Sequence, residues 1–276
     1  MTDVLVNGEN ITTINVFDRG LQYGDGLYET MAVRNGKIHL WETHWQRLTD
    51  GCEKLSITLP NKEVIEKEID LLCNARDEKV FVIKLILTRG AGQRGYSYTD
   101  QQNVTRILSS HAWPDYPERY QTEGVVVRYC DTTISENSKL AGIKHLNRLE
   151  QILARNEWNT DEFQEGLMLT TQGHVIDGTM SNVFAIKDNQ LFTPGLSLSG
   201  VAGVMRKTII NIANNCSLSV FEKDFTKSEL EAADELFLCN SLFGIWPIRV
   251  LAKTRFTKVG NITKMLQQEV NKLGHQ

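Results

Sequence analysis

Lys144 is the side chain of this sequence best suited to covalent chemistry. It follows Leu140–Ile143, a stretch of small and apolar residues, and it precedes an amphipathic run. Apolar surroundings destabilise the charged form of an amine, so the pKa falls and the neutral form becomes available for Schiff-base chemistry. The residues alone also allow an ordinary solvated lysine near the start of a helix. Lys144 is therefore a candidate nucleophile and base.

Arg47 is a candidate phosphate ligand. It lies three residues after His44 on a predicted helix, on a different face from the apolar positions. A guanidinium can bind a phosphate through two parallel hydrogen bonds, although an arginine on a helix is usually solvated. The apolar face of this helix is predicted to contain Trp41, Trp45, Leu48, Cys52 and Leu55.

Other candidates come from the second half of the chain and from a glycine-rich loop. Gly203 opens a predicted helix, whose first backbone N–H groups could bind an anion. Asp177 precedes Gly178 and is either a site carboxylate or the start of a turn. Arg94 and Tyr96 lie in a glycine-broken loop, where exposed side chains can meet a ligand.

These residues must be positioned by the helices and strands of the fold, which the sequence predicts to alternate irregularly along the chain. This order predicts a mixed α/β (α+β) chain of two domains. Pro114 and Pro117 interrupt regular structure between two strand-like regions. We therefore expect a smaller N-terminal α/β domain at 1–113, a linker at 114–124 and a larger C-terminal cofactor-binding domain at 125–276. Local patterns further predict an extended segment over 11–17, a glycine loop over 18–26 and a final helix capped by Thr263.

The bulk properties exclude several classes of protein. With 276 residues, 41% hydrophobic and 23% charged, the chain is long enough for a sizeable core. A net charge of −4 gives no electrostatic reason to expect nucleic acid or an anionic membrane as a partner. The five cysteines are dispersed and lack metal-ligand spacing, which predicts reduced thiols, a cytoplasmic protein and no metal site. No apolar run is long enough to span a bilayer.

Four motifs resemble those of a known family. The lysine segment is similar to that of the aminodeoxychorismate lyases, which are fold-type IV pyridoxal phosphate (PLP) enzymes related to D-amino acid and branched-chain aminotransferases. The similar stretches are Asp18–Gly26, Arg89–Ser97, Gly142–Gln151 and Ser181–Phe184, and the resemblance runs from about the first ten residues to near the C-terminus. The resemblance implies the two-domain fold of that family and a PLP cofactor.

The resemblance also implies residue roles. Lys144 would attach the cofactor and act as the catalytic base, and Asp177 would contact the pyridine nitrogen, where the family more often has glutamate. The remaining expected cofactor-binding residues are Arg47, Val204, Met205, Asn240 and Ser241. Substrate-binding residues are expected to be Tyr28, Arg94, Tyr96 and Arg148. Aspartate is shorter than glutamate by about 1.5 Å, so either the ring or the strand shifts, or a water bridges the gap.

The implied reaction converts 4-amino-4-deoxychorismate to 4-aminobenzoate and pyruvate, a step of folate biosynthesis. Two alternatives stay open on the sequence: an aminotransferase of the same fold acting on D-amino or branched-chain substrates, and a non-catalytic small-ligand binding protein. The resemblance further implies a homodimer.

Overall fold

The strongest apolar runs of the sequence form strands in the computed structural model, which describes residues 3–99 and 103–274. The chain divides into two units. The first comprises the described residues up to Pro114 together with Ile143–Asn147, and the second comprises Asp115–Gly142 and the described residues from Arg148 onward. The predicted linker over 114–124 thus lies almost wholly in the second unit. Lys144 and its immediate neighbours, Ile143–Asn147, belong to the first.

The first unit is built on a five-stranded antiparallel sheet with the strand order β1-β5-β4-β2-β3. Strand β4 is central and buried on both faces, as its near-continuous apolarity predicts. The elements of the unit in chain order are β1 Val4–Val6, α1 Arg19–Tyr23, β2 Gly26–Arg34, β3 Lys37–Ile38, α2 Trp41–Leu55, α3 Lys62–Asn74, β4 Val80–Thr88 and β5 Thr105–Ala112.

The second unit is built on a nine-stranded sheet. Its elements in chain order are α4 Arg119–Thr122, β6 Val125–Ile134, α5 Leu149–Arg155, β7 Glu165–Thr170, β8 Val175–Gly178, β9 Asn182–Lys187, β10 Gln190–Thr193, α6 Val204–Asn215, β11 Val220–Glu222, α7 Lys227–Glu231, β12 Glu235–Asn240, β13 Gly244–Leu251, β14 Thr254–Arg255 and α8 Asn261–Leu273. The strand order is β11-β10-β9-β12-β13-β6-β7-β8, with β14 beside β13.

A further pairing between β8 and β9 closes part of this sheet into a ring. Asp177 on β8 pairs with Asn182 on β9, so β9, β12, β13, β6, β7 and β8 form a closed circuit. All six strands contribute buried side chains to one apolar cluster, which includes Val127, Leu238 and Trp246. Burial of this cluster fixes the register of the strands, because a slip by one residue would turn each apolar side chain outward.

Two local predictions in the first unit differ from the structure. Residues 11–17 form no strand, although the sequence predicts an extended segment there. The predicted glycine loop over 18–26 contains the short helix α1, which begins where Asp18 accepts a hydrogen bond from the backbone N–H of Gly20. It ends at Gly24, which adopts a left-handed conformation with φ 65°. A helix of one turn leaves too little periodic pattern to be seen in a sequence.

The start of α8 also differs from the prediction. Gly260 is the N-cap residue, and Thr263 lies inside the helix rather than capping it. The capping acceptor comes from another element, because Glu235 on β12 accepts from the backbone N–H of Thr263 at 2.8 Å. In α7, Thr226 and Glu229 are bonded reciprocally in a capping box. Local pairs of this kind are visible in a sequence, whereas a cap donated by a distant strand is not.

Candidate functional site

The backbone of the lysine segment runs beside β2 in the first unit. The N–H of Tyr28 donates to the carbonyl of Lys144 at 3.0 Å, and the N–H of Leu146 donates to the carbonyl of Gly26 at 3.0 Å. This short ladder, continued by a bridge between Leu27 and His145, holds Lys144 at the start of the strand. The Nζ atom of Lys144 lies 4.5 Å from the centroid of the Tyr28 ring. The partly buried lysine therefore lies against an aromatic face, as the apolar surroundings of the segment predict.

A buried cluster formed by Glu29, His44 and Arg47 lies in the same unit. The Nε atom of Arg47 donates to Glu29 Oε1 at 2.8 Å, and its Nη2 atom bonds Oε2 of the same carboxylate. The Nδ1 atom of His44 lies 2.6 Å from Glu29 Oε2. Glu29 is 1% exposed and His44 is fully buried. Arg47 is thus held in a bidentate pair rather than solvated, and its Nε–Nη2 edge faces the carboxylate.

Charge states in this cluster are set by burial and by the arginine. Burial raises the pKa of Glu29, but the charge of Arg47 and hydrogen bonds from Arg47 and His44 outweigh it and lower that pKa to about 2. Burial lowers the pKa of His44, and the charges of Arg47 and Lys144 lower it further. A neutral His44 would donate from Nδ1 to Glu29, which leaves Nε2 as an acceptor. Among the atoms that the structure describes, this buried Nε2 has no hydrogen-bond partner.

Arg94 and Tyr96 lie on an exposed loop of the first unit. Tyr96 is 87% exposed and contacts the edge of the Tyr23 ring, with 5.7 Å between ring centroids. The loop is held by Arg19, whose guanidinium donates to the carbonyls of Gly95 at 2.8 Å, Tyr96 at 3.1 Å and Ser97 at 3.3 Å. A cleft of about 500 Å³ beside the loop includes the arginines Arg19, Arg89 and Arg94 in its lining.

Asp177 is buried in the second unit and both its carboxylate oxygens accept hydrogen bonds. Oδ1 accepts from Asn182 Nδ2 at 2.7 Å, and Oδ2 accepts from the backbone N–H of Val201 at 2.8 Å. Burial raises its pKa to about 7, against the opposing effects of these two donors and of the charges of Arg206 and Arg148. A buried carboxyl of this kind is stabilised as an anion when a cation lies beside it.

The N-terminus of α6 is the candidate phosphate site of the second unit. Gly203 is the N-cap residue and supplies no side-chain acceptor, so the first turn begins at Val204 and Met205 without a side-chain cap. The backbone N–H groups at the start of a helix carry partial positive charge and favour an anion. The phosphate-binding role of Val204 and Met205 stays a prediction.

The other expected site residues of the second unit are Asn240, Ser241 and Arg148. Asn240 ends β12, where its Oδ1 atom accepts from the N–H groups of Leu242 and Phe243, and its Nδ2 atom donates to the carbonyl of Met180 at 3.3 Å. Its side chain therefore holds a turn. Ser241 follows it and is partly buried. Arg148 is the N-cap residue of α5, and its charge lowers the pKa of Asp177.

The structure thus groups the expected residues within each unit. In the first unit, Arg47 and His44 bond to Glu29, and Lys144 lies against Tyr28. Asp177, Arg148 and the start of α6 belong to the second unit. Sequence reasoning did not select Glu29, His44 or Asn182 as site residues. A carboxylate on a strand predicted to be buried needs a partner, and that signal was present at Glu29.

The chain is similar to known proteins over nearly its whole length. The chain is 37% identical to the aminodeoxychorismate lyase of Vibrio harveyi, over 96% of this chain and 98% of that protein. It is 30% identical to a D-alanine aminotransferase of Listeria monocytogenes, over 96% of this chain and 93% of that protein.

A solved structure is also similar over nearly the whole length. The 4-amino-4-deoxychorismate lyase of Pseudomonas aeruginosa superposes with a TM-score of 0.92 at 42% identity, and the match covers 98% of each chain. The family model of amino-transferase class IV matches residues 26–251. The chain belongs to the amino-transferase class IV family.

Proposed function

We propose that this protein is a PLP-dependent lyase that converts 4-amino-4-deoxychorismate to 4-aminobenzoate and pyruvate. The observation that carries the proposal is the similarity to two aminodeoxychorismate lyases over nearly the full length, together with Lys144 in the position that the lyase motif requires. The identity to these lyases, 37% and 42%, exceeds the 30% identity to the D-alanine aminotransferase.

The residues fit PLP at each of its functional groups. Lys144 supplies the amine for covalent attachment. Asp177 is a buried carboxyl whose anionic form a cationic ring nitrogen would stabilise. The uncapped start of α6 and the oriented guanidinium of Arg47 suit the phosphate.

The chain's own residues would then act as follows. When bound, PLP supplies an electron sink at the substrate amine. Once released by the substrate amine, Nζ of Lys144 would take the proton from C4 of the substrate. The C–O bond to the enolpyruvyl group would then break and the six-membered ring would become aromatic. The departing enolpyruvate would take up, at its methylene carbon, the proton that Lys144 removed, and so become pyruvate. Asp177 keeps the ring nitrogen protonated, because a carboxylate beside it stabilises the cationic form.

The substrate residues follow from the charge of the substrate. Aminodeoxychorismate carries two carboxylates, so at least one arginine is expected to contact it. Arg94 is exposed on a loop that Arg19 holds in place, and Arg148 lies in the lysine segment of the sequence. Tyr28 would form a wall of the pocket beside Lys144. We expect Arg94→Ala to raise KM for aminodeoxychorismate, and unchanged kinetics would remove it from the proposal.

A PLP-dependent aminotransferase is the second candidate, because D-alanine aminotransferases are also relatives of this chain. Both reactions need the same lysine, so the distinction is experimental. The purified enzyme is incubated with aminodeoxychorismate and no keto acid, and 4-aminobenzoate and pyruvate are measured. We expect both products in equal amounts, and none from Lys144→Ala. A strict requirement for a keto-acid acceptor would support the aminotransferase instead.

We also propose that the protein is a cytoplasmic homodimer. Helix α5 supports the dimer, because its apolar residues Leu149, Ile152 and Leu153 are 73%, 54% and 61% exposed. An apolar stripe of this kind usually contacts another chain. All five cysteines are free thiols, which supports a reducing compartment. In the part of the chain that the structure describes, no helix is long and apolar enough to cross a membrane. Sedimentation velocity at micromolar concentration tests the dimer.

A further inference from the structure

The side-chain amide of Asn182 joins the Asp177 carboxylate to the loop that leads into α6. Its Nδ2 atom donates to Asp177 Oδ1 at 2.7 Å and to the carbonyl of Val201 at 2.9 Å. The N–H of Val201 donates in turn to Asp177 Oδ2 at 2.8 Å. Both partners of Nδ2 are acceptors, so the orientation of the amide is fixed by the network. Three groups from β8, β9 and the loop therefore form one closed hydrogen-bonded unit.

The other end of the same amide meets the start of α6. A Cβ atom at position 203 would overlap Asn182 Oδ1, so the N-cap residue has room for glycine only while Asn182 keeps its present position. Gly203 has φ −61°, a conformation that any residue can adopt. Space rather than backbone conformation therefore requires glycine here. Asn182 thus contacts the Asp177 carboxylate through its donor atom and the N-terminus of α6 through its acceptor atom.

We propose that Asn182 is a positioning residue that holds the Asp177 carboxylate and the N-terminus of α6 at a fixed spacing, so that the ring nitrogen and the phosphate of PLP are recognised together. The inference rests on the proposed function, because it assigns those two cofactor groups to Asp177 and α6. Asn182 itself is 6% exposed and needs no contact with the cofactor.

The physical chemistry of a buried aspartate supports this role. A carboxylate on a short side chain reaches a ring nitrogen only from one orientation, and hydrogen bonds to a charged group are stronger than those between neutral groups. Burial raises the pKa of Asp177, and the hydrogen bond from Asn182 opposes that rise. Loss of the amide would therefore leave the carboxyl less well oriented and less ionised, which weakens its bond to a cationic nitrogen.

The test measures the affinity of the full-length apoprotein for three aldehydes. These are PLP, pyridoxal, which lacks the phosphate, and the 1-deaza analogue of PLP, which has C–H in place of the ring nitrogen. Absorbance titration gives a Kd for each. The ratio of the deaza Kd to the PLP Kd reports recognition of the ring nitrogen, and the ratio of the pyridoxal Kd to the PLP Kd reports recognition of the phosphate.

For Asn182→Ala we expect both ratios to fall by about tenfold relative to the wild type, the size expected for losing one hydrogen bond to a charged group. A merely structural role would weaken binding of all three aldehydes equally and leave both ratios unchanged, which would overturn the proposal. Failure of the wild type to prefer PLP over either analogue would instead overturn the proposed function.

Thr193→Val is the matched control. Thr193 is fully buried, and its Oγ1 atom donates to the carbonyl of Val183, the residue after Asn182 on β9, at 2.9 Å. The substitution removes one buried hydrogen bond from the same strand without touching Asp177 or the loop before α6. We expect both ratios to keep their wild-type values.

Gly203→Ala provides a second variant in case Asn182→Ala folds poorly. The new methyl group would displace the Asn182 amide without changing its chemistry. The ratio of the deaza Kd to the PLP Kd, here called the deaza ratio, should therefore fall, even though position 203 lies at the start of α6 and not beside the ring nitrogen. In the Asn182→Ala background the overlap is removed, and Gly203→Ala should lower the deaza ratio no further. Additive losses in the double variant, or an unchanged deaza ratio in Gly203→Ala alone, would contradict the coupling.

Discussion

Glu29 shows how a single side chain determines the charge and the orientation of its neighbours, His44 and Arg47. Burial favours its protonated form, yet the bidentate pair with Arg47 and the bond to His44 keep it ionised. The pair leaves little net charge and fixes the plane of the guanidinium. Orientation of Arg47 is therefore provided before any ligand binds, which reduces the entropy lost on binding.

At the residue scale, the structure predicts a pH-dependent cost for Glu29→Gln. The folded pKa of about 2 lies below the ordinary value of 4.5, so Glu29 stabilises the fold above pH 4.5 and loses this effect as pH falls toward 2. We expect the variant to lose about 3 kcal/mol of unfolding free energy at pH 7, and less than half of that at pH 3. Urea unfolding at the two pH values measures this.

The control for that prediction is Glu42→Gln, on the same helix as Arg47. Glu42 pairs with Lys62 in solvent, with a side chain that is 77% exposed. An exposed pair contributes little to stability, so this variant should unfold like the wild type at both pH values. A cost for Glu29→Gln that is equal at pH 7 and pH 3 would contradict the assigned charge state.

At the scale of elements, a helix or strand could be predicted from the sequence where the contacts that determine it are between residues close together in the chain. Strand β4 follows from its near-continuous apolarity and helix α2 from the periodicity of its apolar residues, and the capping box of α7 follows from Thr226 and Glu229. Helix α5 was predicted as amphipathic, but its apolar residues are exposed, because the pattern shows a stripe and not what covers it.

The same argument separates Lys144 from its neighbours. The lysine was found from its own surroundings and motif. Glu29 joins His44 and Arg47 only when β2 packs against α2, so no local pattern shows that cluster. In the second unit, β13 and β14 were not predicted, and neither was the pairing of β8 with β9 that closes the ring.

The non-local cap of α8 gives a prediction at this scale. Glu235 accepts hydrogen bonds from the N–H and the Oγ1 atom of Thr263, at 2.8 Å and 2.6 Å. We expect Glu235→Ala to cost about 1–2 kcal/mol of unfolding free energy, because α8 loses its cap. We expect kcat/KM to stay unchanged, because neither Glu235 nor Thr263 is a proposed site residue. Chemical unfolding and the product assay measure both. Glu269→Ala, on the surface of the same helix, is the control, and a loss as large as that of Glu235→Ala would contradict the capping role.

At the scale of the whole molecule, the proposed cofactor-binding residues are divided between the two units. The first provides the lysine and the oriented arginine, and the second provides the buried carboxylate and an uncapped helix. Similarity to lyases over 96% and 98% of the chain means that both units are represented in the relatives. The proposed chemistry requires that the amine at position 144 carries the cofactor.

The most direct test is to reduce the PLP-loaded full-length protein with borohydride and to map the modified peptide by mass spectrometry. We predict that the reduced cofactor is attached to Lys144 and that Lys144→Ala retains none of it after denaturation. Attachment to another lysine, or no covalent attachment in the wild type, would contradict the central claim.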